Sequence, residues 1–295
     1  MSVLTELERL VVPLDGSEFS TRAIPAADII ARAAGTGISL LGIAADDEDA
    51  SALSRHVHEA RTLLSAGSDV AEEMIVGADP VSALLEIVED PGRELFLASH
   101  DRMPLSAAVL RSAGSRVIER ARRPLFVVGP GAAEATGGPD VVVALDGRHD
   151  SEPLLTAAGR WATLLDVSLR VVTVYEPVPP DIRDPGHFTR GHGPATDPDL
   201  YLRQIRAQLE GQAPRGVECA SIPDPVSVAA GLSDHLAERP ALMLVAGGQH
   251  HRNVFAPGAV RVLLHSLNVP VLLVPGPAQD DTPGFGTADR TSSDA

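Results

Sequence analysis

Aromatic residues are scarce in this chain. Phe, Trp and Tyr make up 3% of its 295 residues, although hydrophobic residues as a whole reach 44%. Apolar side chains are therefore abundant enough for folded domains rather than a disordered chain, and Val, Leu, Ile and Ala must fill the cores. The length fits two domains of ordinary size, each with a core of its own.

Cysteine and long apolar runs are also scarce. The single cysteine, Cys219, cannot form a disulfide within the chain, which is typical of a reducing compartment. It lies in a stretch that predicts a strand, so we expect a core position rather than a reactive thiol. No run of about 20 apolar residues is present that could span a membrane, and residues 1–10 lack the apolar segment of a signal peptide. We therefore expect a cytoplasmic protein.

Positively charged residues are also few in this chain. The chain has 24 Lys and Arg against 40 Asp and Glu, which gives a formal net charge of −16. A field of this sign repels phosphate backbones and anionic lipids, and so argues against nucleic acids and membrane surfaces as partners. It does not exclude a small nucleotide that is held by backbone N–H groups.

One sequence pattern occurs twice in the chain. Three landmarks return in the same order: 11–16 as 142–147, 79–82 as 224–227, and 123–130 as 269–276. The offset between the copies is smaller for the first landmark than for the other two, so the second copy is longer between its first and second landmarks. Because a solenoid needs at least about three units to bury a continuous core, two copies predict paired globular domains.

The repeat and the composition of the connecting segments set the predicted domain boundaries. The first domain covers 1–130 and the second covers 140–276. A Gly-, Pro- and Ala-rich linker at 131–139 joins them. A polar, Pro- and Gly-containing tail at 277–295 is predicted to be disordered, and the similar stretch 177–198 to be a mobile loop.

Short apolar runs alternate with helical patterns in each copy. Because a parallel neighbour is reached only by crossing a face of the sheet, this alternation predicts parallel strands with right-handed crossovers and helices on both faces. Each domain is predicted to be a doubly wound α/β unit with a five-stranded, mainly parallel sheet. The predicted strands are 10–14, 38–44, 70–76, 94–98 and 125–128, then 141–145, 169–175, 218–222, 242–246 and 271–274.

These landmarks resemble the universal stress protein family in its tandem form. Residues 14–18 resemble the family's first strand and turn, 122–128 resemble the end of its last helix and fifth strand, and the resemblance covers nearly all of 10–276. It implies the adenine-nucleotide alpha-hydrolase-like fold. It also implies that the fifth strands, 125–128 and 271–274, pair antiparallel with each other or with a second chain, as in a homodimer.

Members of the family that bind ATP carry a glycine motif after the fourth strand: Gly, two residues, Gly, nine residues, Gly, then Ser or Thr. Glycines let the backbone close on phosphates, and the last pair opens a helix whose N–H groups hold an anion. In the first copy, Ala98, Asp101 and Arg111 replace the three glycines, and Ser112 alone matches. Asp101 would repel a phosphate group.

The motif is degraded in the second copy as well. Counting back from the fifth strand places Ala246 at the first glycine and Pro257-Gly258 at the final Gly-Ser, with seven residues instead of nine between the later positions. Gly247 and Gly248 then lie beside the first position but out of register. These glycines still permit a close backbone approach, so the second copy is the better candidate for a ligand.

The resemblance also indicates contacts outside this loop. Asp15 and Asp146 would meet the ribose or adenine, and Ile43 and Val174 would line the adenine pocket, all at the carboxyl ends of parallel strands. The alternatives are structural: an aspartate in a turn before glycine, and apolar core side chains. The cofactor-binding candidates are therefore Asp146, Val174, Gly247, Gly248 and Gly258 in the second copy, and after them Asp15, Ile43 and Ser112 in the first.

Two classes of function remain open. The degraded loops favour a non-enzymatic stress-response or signalling protein that acts through domain pairing and an unknown protein partner. The alternative is a regulator that binds ATP in the second domain. ATP is the one cofactor that the sequence leaves open. An enzyme such as an adenylating ligase would need a Ser-Gly-Gly-x-Asp-Ser-like loop after the first strand, and neither 15–18 nor 146–149 matches it. We predict no catalytic residue and no metal site.

Overall fold

The computed structural model describes residues 7–99, 113–134, 137–145, 151–175, 198–211, 213–223, 228–247, 264 and 267–276. The strands are β1 (Arg9–Leu14), β2 (Gly37–Ala44), β3 (Val70–Val76), β4 (Arg93–Ala98), β5 (Leu125–Val128), β6 (Asp140–Leu145), β7 (Ser168–Tyr175), β8 (Val217–Pro223), β9 (Met243–Gly247) and β10 (Val271–Val274). The helices are α1 (Ala23–Ala34), α2 (Asp47–Ala60), α3 (Pro80–Glu89), α4 (Ala113–Arg120), α5 (Glu152–Leu164), α6 (Pro198–Leu209) and α7 (Val228–Glu238). None of the helices within these ranges is both long enough and apolar enough to cross a membrane.

All ten strands belong to one sheet, in the order β3-β2-β1-β4-β5-β10-β9-β6-β7-β8. Neighbouring strands are parallel within each half, which confirms the predicted fold class. At the centre, β5 and β10 pair antiparallel, with Phe126 opposite Leu272. Each half thus covers the edge strand of the other, and backbone groups that would be unpaired in an isolated half are hydrogen-bonded.

Helices cover both faces of the sheet, and each face has a core that runs through both halves. On one face, Leu10 and Ile30 of the first half belong to the same cluster as Val141 and Trp161 of the second. Phe126 of β5 stacks on Phe96 at 4.1 Å between ring centroids and meets the Trp161 ring edge-on at 5.1 Å. The second face has a continuous cluster of the same kind. The two halves therefore share their cores across the central strand pair.

The connection between β5 and β6 is closely packed where the structure describes it. Residues Pro130–Glu134 form a short 3-10 helix, and Ala132 in it is fully buried. A Cβ atom on Gly129 would lie 1.7 Å from the carbonyl oxygen of Leu264, and one on Gly131 would lie 2.8 Å from that of Leu267. Only glycine permits this close approach of two backbones, so the connection is part of the folded structure.

Helix boundaries are set by capping residues more than by the apolar pattern. The pattern places the second helix at 51–65, but α2 begins at Asp47 because the Asp46 carboxylate accepts hydrogen bonds from the backbone N–H groups of Glu48 and Asp49, at 3.0 and 2.9 Å. The apolar spacing also predicts a helix at 259–267, which lies almost entirely outside the described residues. The loop at 177–198, apart from its last residue, and the tail at 277–295 lie outside them as well.

Candidate functional site

The candidate site lies at the carboxyl ends of the strands, where the order of the sheet reverses. In the first half, β1 lies between β2 and β4, and in the second half β6 lies between β7 and β9. Open α/β sheets bind ligands in the crevice at such a point. Asp15 directly follows β1, while Ile43 and Val174 are near the ends of β2 and β7.

Asp15 stabilises a turn in the first half. Its Oδ1 atom accepts hydrogen bonds from the backbone N–H of Ser17, at 3.0 Å, and from the Ser17 hydroxyl, at 2.6 Å. Gly16 between them has a φ angle of +82°, in the left-handed region that favours glycine. The geometry of Asp15 is thus that of the structural alternative, an aspartate that holds a turn before glycine.

Apolar side chains fill the space beside the carboxyl end of β2. A Cβ atom on Gly42 would lie 2.6 Å from Cε of Met74 and 3.0 Å from Cδ2 of Leu53. Leu53 also lies 3.8 Å from the position of a Cβ atom on Gly16. This packing follows from the short connection between β2 and α2, because α2 begins soon after Ala44 and brings Leu53 over the strand ends. The first half is therefore closed on this face.

The second half has hydroxyl groups at the equivalent positions. Thr173 is opposite Leu145 at the end of β6, as Gly42 is opposite Leu14 at the end of β1. On its other side Thr173 pairs with Ser221, where Gly42 pairs with Met74.

These hydroxyl groups change the character of the strand ends. The Thr173 side chain is fully buried, and its Oγ1 atom has no hydrogen-bond partner among the described residues. The Ser221 hydroxyl donates to Oδ1 of Asp199 at 3.0 Å. The two halves thus differ in chemistry at this point, apolar in the first and polar in the second.

Further polar contacts line the same face of the second half. The hydroxyl groups of Ser151 and Tyr201 lie 3.2 Å apart and share a hydrogen bond. Ser151 is the counterpart of Ser20 when the first landmarks of the two copies are aligned. The Ser20 hydroxyl instead donates to the backbone carbonyl of Ser17 at 2.8 Å. The hydroxyl at this position therefore bonds to a side chain in the second half and to a backbone carbonyl in the first half.

Val174 is a core residue near the end of β7. It is only 7% exposed and belongs to the core on the opposite face of the sheet. This burial fits the core role that the sequence offered as an alternative, and a contact of Val174 with adenine stays a prediction.

The strand register corrects the assignment of the second glycine motif. Ala98 pairs with Val128 at the end of the first half's ladder, and Gly247 pairs with Val274 at the end of the second. Gly247, and not Ala246, therefore occupies the position equivalent to Ala98, where the motif begins. Counting from the fifth strand was wrong by one residue, because the connections before β5 and β10 differ in length.

Several predicted site residues lie outside the described part of the chain: Asp146, Gly248, Gly258, Ser112, Asp101 and Arg111. The structure shows where their neighbouring strands end and nothing of their own positions. Within the described residues, no cluster of three or more His, Cys, Asp or Glu side chains is arranged to hold a metal ion. Cys219 is half-buried in β8, and burial raises the pKa of its thiol, which keeps it protonated.

A cleft of about 270 Å³ lies at the opposite edge of the first half, near the amino-terminal end of β2. Its charged groups are engaged in ion pairs, Arg32 with Asp28 at 3.2 Å and Asp69 with Arg9 at 2.9 Å. It does not coincide with the strand ends at which a ligand was predicted.

Sequence reasoning missed the residues that distinguish the two halves, which are Leu53, Met74, Thr173 and Ser221. An alignment of the two copies on their first landmarks would have set Gly42 against Thr173. The match of Met74 with Ser221 depends on the strand ladder, because the connections before β3 and β8 differ in length.

No protein-family model and no curated protein matches the chain. Several solved structures do match the chain. A universal stress protein from Archaeoglobus fulgidus DSM 4304 superimposes with a TM-score of 0.56 at 16% identity, over 90% of this chain and 98% of that one. A candidate universal stress protein from Pseudomonas aeruginosa UCBPP-PA14 gives a TM-score of 0.56 at 15% identity, over 92% and 94%. The fold is that of the universal stress proteins.

A third similar structure, a protein of unknown function from Pseudomonas aeruginosa PAO1, gives a TM-score of 0.56 at 14% identity and covers 92% of this chain. These structures match nearly the whole chain, so the universal stress protein fold includes both halves. The resemblance that the repeated landmarks carry is confirmed at the level of the fold. At such low identities the likeness says nothing of which residues bind a ligand.

Proposed function

We propose that this chain is a non-enzymatic stress-response or signalling protein of the universal stress protein type, in which the first half is structural and only the second half can hold a ligand. The observation that carries this proposal is the packing of Leu53 and Met74 against Gly42, which closes the first half's strand ends on one face. The missing glycines at Ala98 and Arg111 remove the backbone approach to phosphates from the same half.

The proposed mode of action is binding of a protein partner by the two halves as one body. The continuous sheet and the shared cores support this mode, because the halves present their surfaces in a fixed relation. Since β5 and β10 cover each other within the chain, a homodimer would need a different surface. We place the protein in the cytoplasm on the basis of its single cysteine.

A second candidate function is regulation by ATP bound to the second half. Two observations favour it. Gly247 stands where the nucleotide-binding motif begins, and Thr173 and Ser221 replace the apolar pair that closes the first half. The motif's final serine position provides a matched pair of residues for a test, Gly258 in the second half and Ser112 in the first.

Calorimetric titration of the full-length protein with Mg-ATP, combined with an assay of ADP release, tests both candidates. We expect no ADP release above the buffer control, because neither half has a catalytic constellation in its sequence. If ATP binds, Gly258→Glu should weaken binding by at least about tenfold, or about 1.4 kcal/mol, because it sets a carboxylate against the phosphates. Ser112→Glu should leave binding unchanged.

The outcomes separate the candidates. If ATP does not bind, partner binding is the one proposed function that remains. Equal weakening by both substitutions would show that the first half also binds ATP, which contradicts its structural role. ADP release that is lost in either variant would overturn the assignment of a non-enzymatic protein.

A further inference from the structure

A buried arginine ties the end of α7 to the sheet of the second half. Arg170 of β7 is 1% exposed, and its Nη2 atom pairs with Oδ2 of Asp140 in β6 at 3.0 Å. Both of its terminal nitrogens donate to the backbone carbonyl of Arg239, just after α7, at 3.1 Å. Its Nη2 atom also donates to the carbonyl of Pro240 at 3.3 Å. The guanidinium thus holds the chain between α7 and β9 against the sheet.

The same guanidinium requires a neutral histidine. Nε2 of His235, in α7, lies 3.2 Å from Nη1 of Arg170. A guanidinium only donates hydrogen bonds, so Nε2 must accept, and the ring proton must be on Nδ1. Burial and the nearby charges of Arg170 and Arg239 hold the pKa of His235 below its ordinary value.

The acidic groups around His235 are engaged elsewhere or exposed. Asp140 of β6 pairs with Arg170 and accepts a hydrogen bond from Ser168. Glu218 of β8 forms a two-point pair with Arg239, at 2.6 and 2.8 Å. Glu238 of α7 is exposed to solvent. A protonated imidazole would therefore face the Arg170 cation, and the hydrogen bond between them would be lost.

The first half has no counterpart of this cluster. Ser39 is opposite Val11 in the first ladder, where Arg170 is opposite Val142 in the second. Arg9 begins β1 at the place where Asp140 begins β6, so neither partner of the buried ion pair is repeated. The arrangement is thus particular to the second half, and the chain that Arg170 holds leads into β9, which ends at the edge of the candidate site.

We propose that His235 is an acid-sensitive latch: uptake of one proton from solvent at Nε2 breaks its hydrogen bond with Arg170 and releases the last turn of α7 and residues 239–242 from the sheet. The closed arrangement is fully stable above the unfolded-state pKa of about 6.5. It loses stability as pH falls through that value, because the open state binds the additional proton. Acidification then acts on the half that is proposed to hold a ligand, whether or not ATP is that ligand.

Hydrogen exchange of the full-length protein between pH 7.5 and 5 tests the latch. The reporter is the Arg239 amide, which donates to the carbonyl of His235 at 2.9 Å. After correction for intrinsic exchange rates, we expect its opening equilibrium to rise by up to about tenfold for each pH unit below about 6.5. Amides of α3, the corresponding helix of the first half, serve as the internal control and should show no such rise.

The matched variant is His235→Gln, which keeps a hydrogen-bond acceptor near the position of Nε2 but does not titrate. Its Arg239 amide should lose the pH dependence, and an equal slope in both proteins would overturn the proposal. If this variant does not fold, the imidazole of wild-type His235 can be titrated by NMR. A pKa below about 6.5 together with acid-dependent opening of α7 supports the latch. A pKa at or above that value, or α7 protection that does not change with pH, rules it out.

Discussion

Replacing Gly129 by alanine is expected to lower the free energy of unfolding by about 3 kcal/mol, at the upper end of the range for overpacked interiors. The added methyl group would lie 1.7 Å from the carbonyl oxygen of Leu264. The backbone fixes the positions of both the methyl group and the oxygen, so no side-chain rotation can relieve the collision. Either the 3-10 helix after β5 or the segment that contains Leu264 must shift.

Urea denaturation of the full-length protein measures this effect through the midpoint of the transition. Gly92→Ala is the matched control. Its Cβ atom would lie 3.1 Å from the side-chain carboxyl carbon of Glu8, the far end of a flexible chain that can move away. We expect a change of less than about 1 kcal/mol there. Equal midpoints for the two variants would show that Gly129 is not packed against Leu264 as described.

The second large effect is expected at a buried ion pair between the halves. Arg160 of α5 donates to Oε1 of Glu94 in β4 at 3.0 Å, and Glu94 is 3% exposed. Burial raises the pKa of the Glu94 carboxyl, and Arg160 opposes that rise. Arg160→Ile would leave the carboxylate buried without its partner, and we expect a loss of about 3 kcal/mol at pH 7.5.

Apolar residues occupy the two corresponding positions on the other side of the central strand pair. When the first landmarks of the two copies are aligned, Ile29 of α1 is the counterpart of Arg160. In the strand ladders, Met243 of β9 pairs with Val141 of β6 as Glu94 of β4 pairs with Leu10 of β1. The double variant Glu94→Met, Arg160→Ile should therefore be within about 1 kcal/mol of the wild type, because buried ion pairs are often replaced by apolar groups without loss. A double variant as unstable as Arg160→Ile alone would contradict this account.

The single variant also has a predictable pH dependence. Burial raises the folded-state pKa of Glu94, and loss of the Arg160 cation in the variant would raise it further. The destabilisation by Arg160→Ile is then largest above that pKa and shrinks as pH falls towards it. Denaturation curves of wild type and variant at pH 7.5 and 5 would show the difference narrowing. A difference that widens at pH 5 would mean that the carboxylate is not the source of the loss.

Much of the fold could be predicted from the sequence because its signals are local. The predicted bounds of β3, β5 and β10 coincide with the observed strands, since each is a short apolar run between turn or capping residues. The start of α2 was missed because Asp46–Asp49 is an acidic run without apolar spacing. Its helical state depends on one capping carboxylate.

The candidate site was harder to predict because it depends on register and packing. Gly247 could not be aligned with Ala98 by counting, because the intervening connections have different lengths in the two copies. The closure of the first half depends on which side chain of α2 lies over Gly42, and the predicted helix boundaries did not contain that information. The Arg170 cluster joins residues of three strands and α7 that are far apart in the sequence.

The antiparallel pairing of β5 with β10 within one chain also affects how the residues at this contact can evolve. Two separate copies of one half, joined at the same strands, would come apart on dilution, and every substitution at their contact would appear twice by symmetry. Within one polypeptide the contact forms at a high effective concentration that does not depend on expression level. Each side of the contact can then mutate alone, as the ion pair Glu94–Arg160 opposite an apolar counterpart at Met243 and Ile29 illustrates. Each half can therefore change its residues at this contact without a matching change in the other.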